Sequence, residues 1–194
     1  SGSEENNRSL TVAARIGYRP MLLLRRFLVL IALFFWQGGF TFYAAIVVPV
    51  GQHVFGHLRQ GFITRQVTVY LNLAGAVALI VLVWEQLAAR DPARWRRGSR
   101  WLLWTGMVSL LLWLFWLHGR LDELLVVKGR IIRDPDLFHT RHRLYLWIST
   151  VQWAYGLLYL FLTLVIWRKQ DGVGKQSDAL LFEGNVGKKV ERRK

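Results

Sequence analysis

The sequence feature that most constrains the fold is an uncharged apolar run from Phe27 to Val50, FLVLIALFFWQGGFTFYAAIVVPV. The run is 24 residues long, and a helix of that length exceeds the hydrocarbon core of a bilayer, which is about 30 Å thick. Three further apolar runs follow at 67–84, 101–117 and 144–167. The chain is therefore predicted to be all-α, an integral membrane bundle of four transmembrane helices.

Composition and charge agree with this prediction. Hydrophobic residues make up 53% of the 194 residues, yet the formal net charge is +14, because most basic side chains flank the apolar runs. The ten tryptophans and six tyrosines favour the same interpretation, since amphipathic rings prefer the membrane–water interface. A basic surface is also typical of nucleic-acid binding. This distribution instead predicts a bilayer with anionic headgroups as the partner, and no nucleic acid.

Arginine and lysine counts predict the orientation of the bundle. The N-terminal flank, the 85–100 connection and the C-terminal tail together hold 18 of these residues, against eight in the other two connections. By the positive-inside rule both termini are predicted to be cytoplasmic, an N-in/C-in topology. The N-terminal segment lacks the pattern of a cleaved signal peptide, so the first span is expected to be retained.

The chain divides accordingly into three parts: a cytoplasmic N-terminal segment with its lead-in, 1–26, a four-helix domain, 27–167, and a cytoplasmic basic tail, 168–194. The tail is polar from Gln170 onward and is expected to be disordered unless a partner orders it. The connection 119–143 contains the amphipathic segment LDELLVV, which predicts a short interfacial helix between spans three and four.

All five histidines fall at the predicted extracytoplasmic end. His53 and His57 follow the first span, His118 ends the third, and His139 and His142 precede the fourth. If the first helix continues beyond its apolar run, the spacing of four places His53 and His57 on one helical face. His139 and His142 are three residues apart, which is also compatible with a shared face.

Imidazole groups beside carboxylates, in a chain without cysteine, suit Cu(II), Zn or Fe, and two facing neutral histidines can hold haem b. A metal site is therefore predicted from His53, His57, His118, His139 and His142. The alternative is that these are ordinary interfacial histidines, each with its ring against lipid and its polar tip in water.

A polar stripe runs along the fourth span, where five side chains share one helical face: His142, Tyr145, Ser149, Gln152 and Trp153. Lipid cannot satisfy such groups, so the stripe is expected to face the bundle interior.

The residues predicted to bind a cofactor in a polar cavity are His53, His142, Tyr145 and Gln152. Gln37 is expected to join this cavity from the first span. Asn72 and Thr41 are interpreted instead as helix–helix hydrogen bonders.

Charged residues near the span ends have simpler interpretations. Five arginines at the extracytoplasmic end can contact a lipid headgroup or another anion, with headgroup contact favoured: Arg59, Arg65, Arg120, Arg141 and Arg143. Glu85, at the inner end of the second span, is predicted to pair with a loop arginine such as Arg90.

Two segments resemble a known group of proteins. WQGGFTFYAAIVVPV is similar to the first span of small bacterial four-helix membrane proteins related to the copper-resistance D type, where a Trp-x-Gly-Gly-x-x-Phe run leads to valines and a proline. FHTRHRLYLWIST resembles their Phe-x-x-x-His-Arg segment through Phe138, His142, Arg143 and Ser149. The resemblance implies a four-span bundle in a bacterial inner (plasma) membrane, with a copper-linked role near the outer face. With no cysteine and two methionines, the chain is poor in the soft ligands that Cu(I) prefers.

Three functions remain open at this point. The first is a non-enzymatic membrane protein that binds a metal ion or haem through its outer-face histidines. The alternative is an accessory or assembly subunit with no cofactor of its own, in a larger membrane complex or a homo-oligomer. A small transporter is disfavoured because no acidic residue lies within a span. The sequence has no GxSxG, no phosphate-binding glycine loop and no HExxH, so a non-enzymatic role is favoured.

Overall fold

The computed structural model describes residues 20–89, 93–126 and 131–191. Long helices account for most of this part of the chain: α1 (Pro20–Phe55), α2 (His57–Ala88), α3 (Arg94–Asp122) and α4 (Pro135–Glu191). Each includes a stretch long and apolar enough to cross a membrane. The prediction of an all-α integral membrane bundle of four helices is therefore confirmed.

The helices alternate in direction, which defines two ends of the bundle. At the terminal end α1 begins, α2 ends, α3 begins and the apolar part of α4 ends. Contacts across this end include Arg26 with Asp171 and Arg100 with Glu85. At the connection end lie the links from α1 to α2 and from α3 to α4.

The core lies where one stripe of each helix meets the others. On α1 this stripe is Val29, Leu33 and Trp36, with the spacing of a single helical face. It packs with residues of the other three helices: Ala78, Leu79, Leu82, Met107, Leu111, Tyr159 and Trp167. A smaller cluster joins α3 to α4: Leu114, Leu117, Leu121, Tyr145 and Ile148. Large apolar side chains on the outward faces are exposed, as expected of surfaces that contact lipid.

Gly56 alone connects α1 to α2. Its φ of 77° lies in the left-handed region that favours glycine. The helix α1 continues past Pro49 as far as Phe55, and α2 begins at His57. The expectation that the two histidines at this point share one helical face is wrong, because the helix is broken between them.

The helix α1 contains two π-helical turns. They occupy Phe34–Gly38 and Tyr43–Val47 and are separated by the α-helical segment Gly39–Phe42. A π-turn inserts an extra residue, so it shifts which side chains face a neighbouring helix, and such turns occur frequently at functional sites. Both turns lie within the apolar run that was identified from the sequence.

Two further expectations are corrected. In the described parts of the connection between α3 and α4, the structure has no separate helix. α3 itself extends to Asp122, and two short antiparallel strands follow, β1 (Leu125–Val126) and β2 (Ile131–Ile132). The tail, expected to be disordered, continues α4 as far as Glu191. No proline follows Pro135, so nothing in the later sequence forces that helix to end.

Candidate functional site

A groove of about 470 Å³ lies between α1 and α4 and is open on one side. The groove is shallow and largely open, so it would contact a ligand along one side rather than enclose it. The α1 wall combines residues from both π-turns and the segment between them: Gln37, Gly38, Thr41, Phe42, Ala45 and Ile46. Trp153 and Leu157 of α4 form the opposite wall.

Three of these side chains are polar. Thr41 Oγ1 donates to the Gln37 carbonyl oxygen at 2.7 Å and accepts from Trp153 Nε1 at 3.0 Å, which ties α1 to α4. Gln37 is 8% exposed, and its Oε1 atom is buried without a hydrogen-bond partner. Its amide nitrogen packs against Gly156, where a Cβ atom would overlap it. Gln37 Oε1 is therefore an unused acceptor beside the groove, near the middle of the first span.

Among the described residues, no three of the histidines predicted to form a metal site are grouped together. His53 and His139 are exposed, and the His142 ring stacks on Phe138 with ring centroids 5.9 Å apart. His118 Nε2 lies 3.7 Å from Asp122 Oδ2. The side chain of the fifth, His57, lies outside the described residues.

The Asp122 carboxylate near His118 is already engaged. Arg65 of α2 donates to it through two nitrogens, with Nη2 at 3.0 Å from Oδ2. Within the described part of the chain, no three histidine, aspartate or glutamate side chains are grouped so that they could share a metal ion. These residues do not fit a shared metal in the arrangement described, and the metal or haem site stays a prediction.

The polar stripe of α4 does face the bundle, as predicted. Tyr145, Ser149 and Gln152 are all buried. Tyr145 OH and the Asn72 side-chain amide exchange two hydrogen bonds, with N–O and O–O distances of 3.0 and 3.2 Å. Gln152 Nε2 donates to the Met107 carbonyl oxygen at 3.2 Å. Tyr145 and Gln152, predicted to line a cavity, thus join helices.

Thr41 was predicted to join helices and is also found at the groove. It was interpreted as a helix–helix hydrogen bonder, and it does accept from Trp153, but it also lines the groove. Gln37, expected to contribute to a cavity, lines the groove as well. The groove between α1 and α4 therefore includes none of the four residues that were predicted to bind a cofactor.

A buried ionic network at the terminal end joins α2, α3 and α4. Glu85 is 0% exposed and Arg100 2%. The Glu85 carboxylate accepts from Arg100 Nη2, and its Oε1 accepts from Trp167 Nε1 at 3.2 Å. Arg100 Nη2 also donates to Tyr159 OH at 2.8 Å, and this hydroxyl donates to Gln86 Oε1 at 3.1 Å.

Sequence reasoning found only part of this network. Glu85 was predicted to pair with an arginine of the 85–100 connection such as Arg90, which lies outside the described residues, and its partner is another arginine of that connection, Arg100, which lies in α3. Both charged residues directly adjoin an apolar run, at 84/85 and at 100/101. That adjacency was the available signal, because a charge at the end of a span that faces the bundle must find a partner on a neighbouring helix.

Comparison with known proteins adds no assignment: no protein-family model, curated protein or solved structure matches this chain. The resemblance to copper-resistance D-like proteins accordingly stays a prediction.

Proposed function

We propose that this integral membrane protein is non-enzymatic and binds a lipid-soluble molecule in the groove between α1 and α4. The ligand would be an apolar chain or ring system that carries a hydroxyl or amide N–H, and it would enter laterally from the bilayer. The observation that carries this proposal is Gln37 Oε1, an acceptor that is buried beside the groove without a partner.

The unused acceptor supports a ligand with a hydrogen-bond donor. A buried polar atom without a partner costs about 1–3 kcal/mol in a protein interior, and the hydrocarbon of a bilayer offers no water to relieve that cost. Thr41 cannot relieve it, since its hydroxyl proton is directed to the Gln37 carbonyl oxygen. The Trp153 indole N–H is likewise directed to Thr41. A donor supplied by the ligand would satisfy the Gln37 amide.

The remaining walls support an apolar body for the ligand. Apart from the three polar side chains, the groove is lined by carbon-rich groups, and Phe42, Ile46 and Leu157 are exposed at its edge. An opening bordered by lipid-facing side chains favours entry from the membrane rather than from water. Pockets for small molecules commonly combine such apolar walls with a few placed polar groups.

The π-turns support a groove built for binding. Regular α-helical geometry would give α1 one continuous packing stripe, whereas the extra residues of Phe34–Gly38 and Tyr43–Val47 rotate successive parts of the helix relative to α4. All six α1 residues of the groove lie within these turns or between them. Short π-helical turns are frequent at functional sites.

Photo-crosslinking in lipid nanodiscs tests the proposal. The probe is a diazirine-bearing fatty alcohol, competed either by dodecanol or by its methyl ether, which has no donor. We expect labels to concentrate on the groove residues of α1 and α4, and dodecanol to compete at least about fivefold better than the ether. Gln37→Leu removes the acceptor and should erase that difference, since one net hydrogen bond is worth about 1 kcal/mol.

Thr150→Val is the matched control. Thr150 is an exposed polar residue of α4 whose hydroxyl bonds only to Leu146 O within its own helix, so its removal should leave labelling unchanged. Gln37→Leu should also keep or raise the free energy of unfolding, because it deletes an unsatisfied buried atom. Labels spread evenly over all lipid-facing helices, or equal competition by alcohol and ether, would contradict the proposal.

We further propose that both termini are cytoplasmic and that the membrane is a bacterial inner (plasma) membrane. Four crossings place the two termini on one side, and the excess of basic residues on that side, 18 against eight, supports the cytoplasm.

A further inference from the structure

Arg25 of α1 is a buried cation that has no counterion among the residues that the structure describes. It is 9% exposed, and it lies one turn before Val29 on the same stripe that enters the core through Leu33. Among the described residues no carboxylate or other acceptor pairs with it, and its Nε atom is buried without a partner. Buried charges in proteins are normally paired, so this guanidinium points to an anion.

Two carboxylates of the terminal end have described side chains, and both already have basic partners. Glu85 accepts from Arg100 and Trp167. Asp171 accepts from both terminal nitrogens of Arg26, at 2.9 and 3.0 Å. Neither of these two pairs includes Arg25, whose charge they leave unbalanced.

Unused donors are the second feature of the terminal end. Gln86 is 6% exposed. Its Oε1 atom accepts from Tyr159 OH, whereas its Nε2 atom is buried and has no partner among the described residues. Gln86 lies one turn beyond Leu82, which packs in the same core cluster as Val29. The buried stripes of α1 and α2 therefore lead to Arg25 and to Gln86, respectively, at the same end of the bundle. Both side chains offer N–H groups, which only an acceptor can satisfy.

We propose that the terminal end binds a phosphate group through Arg25, with the Gln86 amide as a second donor. Phosphate is an anion with several acceptor oxygens, and guanidinium groups bind it through paired, charge-assisted hydrogen bonds. Its source is an anionic lipid headgroup or free phosphate. Arg25 precedes the apolar run by two residues, about 3 Å along a helix, which places it within the headgroup layer of about 5–7 Å.

Native mass spectrometry of the full chain in detergent tests this site, with phosphatidylglycerol, phosphatidylcholine and inorganic phosphate as the three probes. We expect tighter binding of phosphatidylglycerol than of phosphatidylcholine to the wild-type protein. Arg25→Gln should weaken phosphatidylglycerol binding about tenfold or more, the typical effect of losing charge-assisted hydrogen bonds. Displacement of the lipid by inorganic phosphate would identify the phosphate group alone as the ligand, and no displacement would identify the lipid headgroup; either result supports the site.

Arg168→Gln is the matched control. Arg168 is exposed at the same end, so its variant removes the same charge from the same membrane face and should change binding by less than about threefold. Equal losses in the two variants would overturn the proposal, because binding would then follow net charge alone. If Arg25→Gln fails to fold, the wild-type comparison still decides: equal affinity for the two lipids, with no binding of inorganic phosphate, overturns it as well.

Discussion

The two ends of this bundle differ in how their polar side chains are partnered. At the terminal end the buried ionic network gathers side chains from α2, α3 and α4 around one fully buried carboxylate, Glu85. At the connection end no three of the described histidines and carboxylates form a group: His139 and His142 both lie beside Phe138, and His118 lies beside Asp122. Residues that share a membrane side in the sequence do not thereby share a site.

Physical chemistry accounts for the difference. Glu85 and Arg100 are withdrawn from water, and a buried charge that lacks a partner is strongly destabilising. Their side chains are therefore obliged to meet across helices. A histidine at the membrane boundary can be neutral or charged at little cost in free energy, because it can form hydrogen bonds with water or with lipid headgroups. His53 and His139 are exposed, so neither needs a protein side chain as a hydrogen-bond partner.

The largest effect is expected from breaking the network. Glu85→Ala should lower the free energy of unfolding by about 3–5 kcal/mol, because it leaves Arg100 charged, buried and without its carboxylate. Unfolding in mixed detergent micelles, followed by far-UV circular dichroism, measures this loss. The Arg26–Asp171 pair provides the comparison, because its carboxylate is 53% exposed: Asp171→Asn should cost less than about 1 kcal/mol.

A double replacement sharpens the same test. Glu85→Leu with Arg100→Met removes both charges and fills the space with apolar atoms, so it should be less destabilising than Glu85→Ala alone. A double variant at least as unstable as the single one would show that the pair itself, and not the cost of an orphaned charge, dominates the stability of the terminal end.

An intermediate effect is expected from the neutral hydrogen bonds between α2 and α4. Tyr145→Phe leaves the Asn72 amide without its buried partner and should cost about 0.6–1.7 kcal/mol, the range measured for such bonds in membrane bundles. Tyr70→Phe is the control, since Tyr70 is 66% exposed and its variant should change stability by less than about 0.5 kcal/mol. Equal costs in the two variants would mean that the Asn72–Tyr145 contact contributes nothing specific.

The smallest effect is expected at the histidines. His53→Ala and His139→Ala should each change the free energy of unfolding by less than about 0.5 kcal/mol, because both side chains are exposed. Unfolding of the wild-type protein with and without Zn²⁺, Cu²⁺ or haem tests the predicted metal or haem site. A stabilisation of about 2.7 kcal/mol with metal at a hundred times its dissociation constant, absent from both variants, would show that the histidines converge on a ligand.

The sequence predicts the fold well because one strong rule governs it. Apolar length alone identifies all four spans, and helical periodicity identifies the buried face of α4 through Tyr145, Ser149 and Gln152. These features depend on local pattern. They need no knowledge of which helix lies opposite.

The candidate site was predicted less well, because it depends on contacts between distant residues. The pairing of Thr41 with Trp153 joins positions 112 residues apart, and no local pattern encodes it. The π-turns of α1 have no proline or charge at their positions that would have predicted them. Glu85 and Arg100 adjoin apolar runs in the sequence, but only the packing of α2 against α3 makes them partners.

The single-residue connection at Gly56 has a consequence for assembly in the membrane. A link this short closes with minimal loss of chain entropy, so α1 and α2 form a helical hairpin as soon as both have entered the bilayer. The contact between α1 and α4 forms only after Trp153 has been made, 65 residues beyond the end of α2 at Ala88. The groove is therefore completed last, and a molecule from the surrounding lipid has free access to the Gln37 side of α1 until α4 arrives.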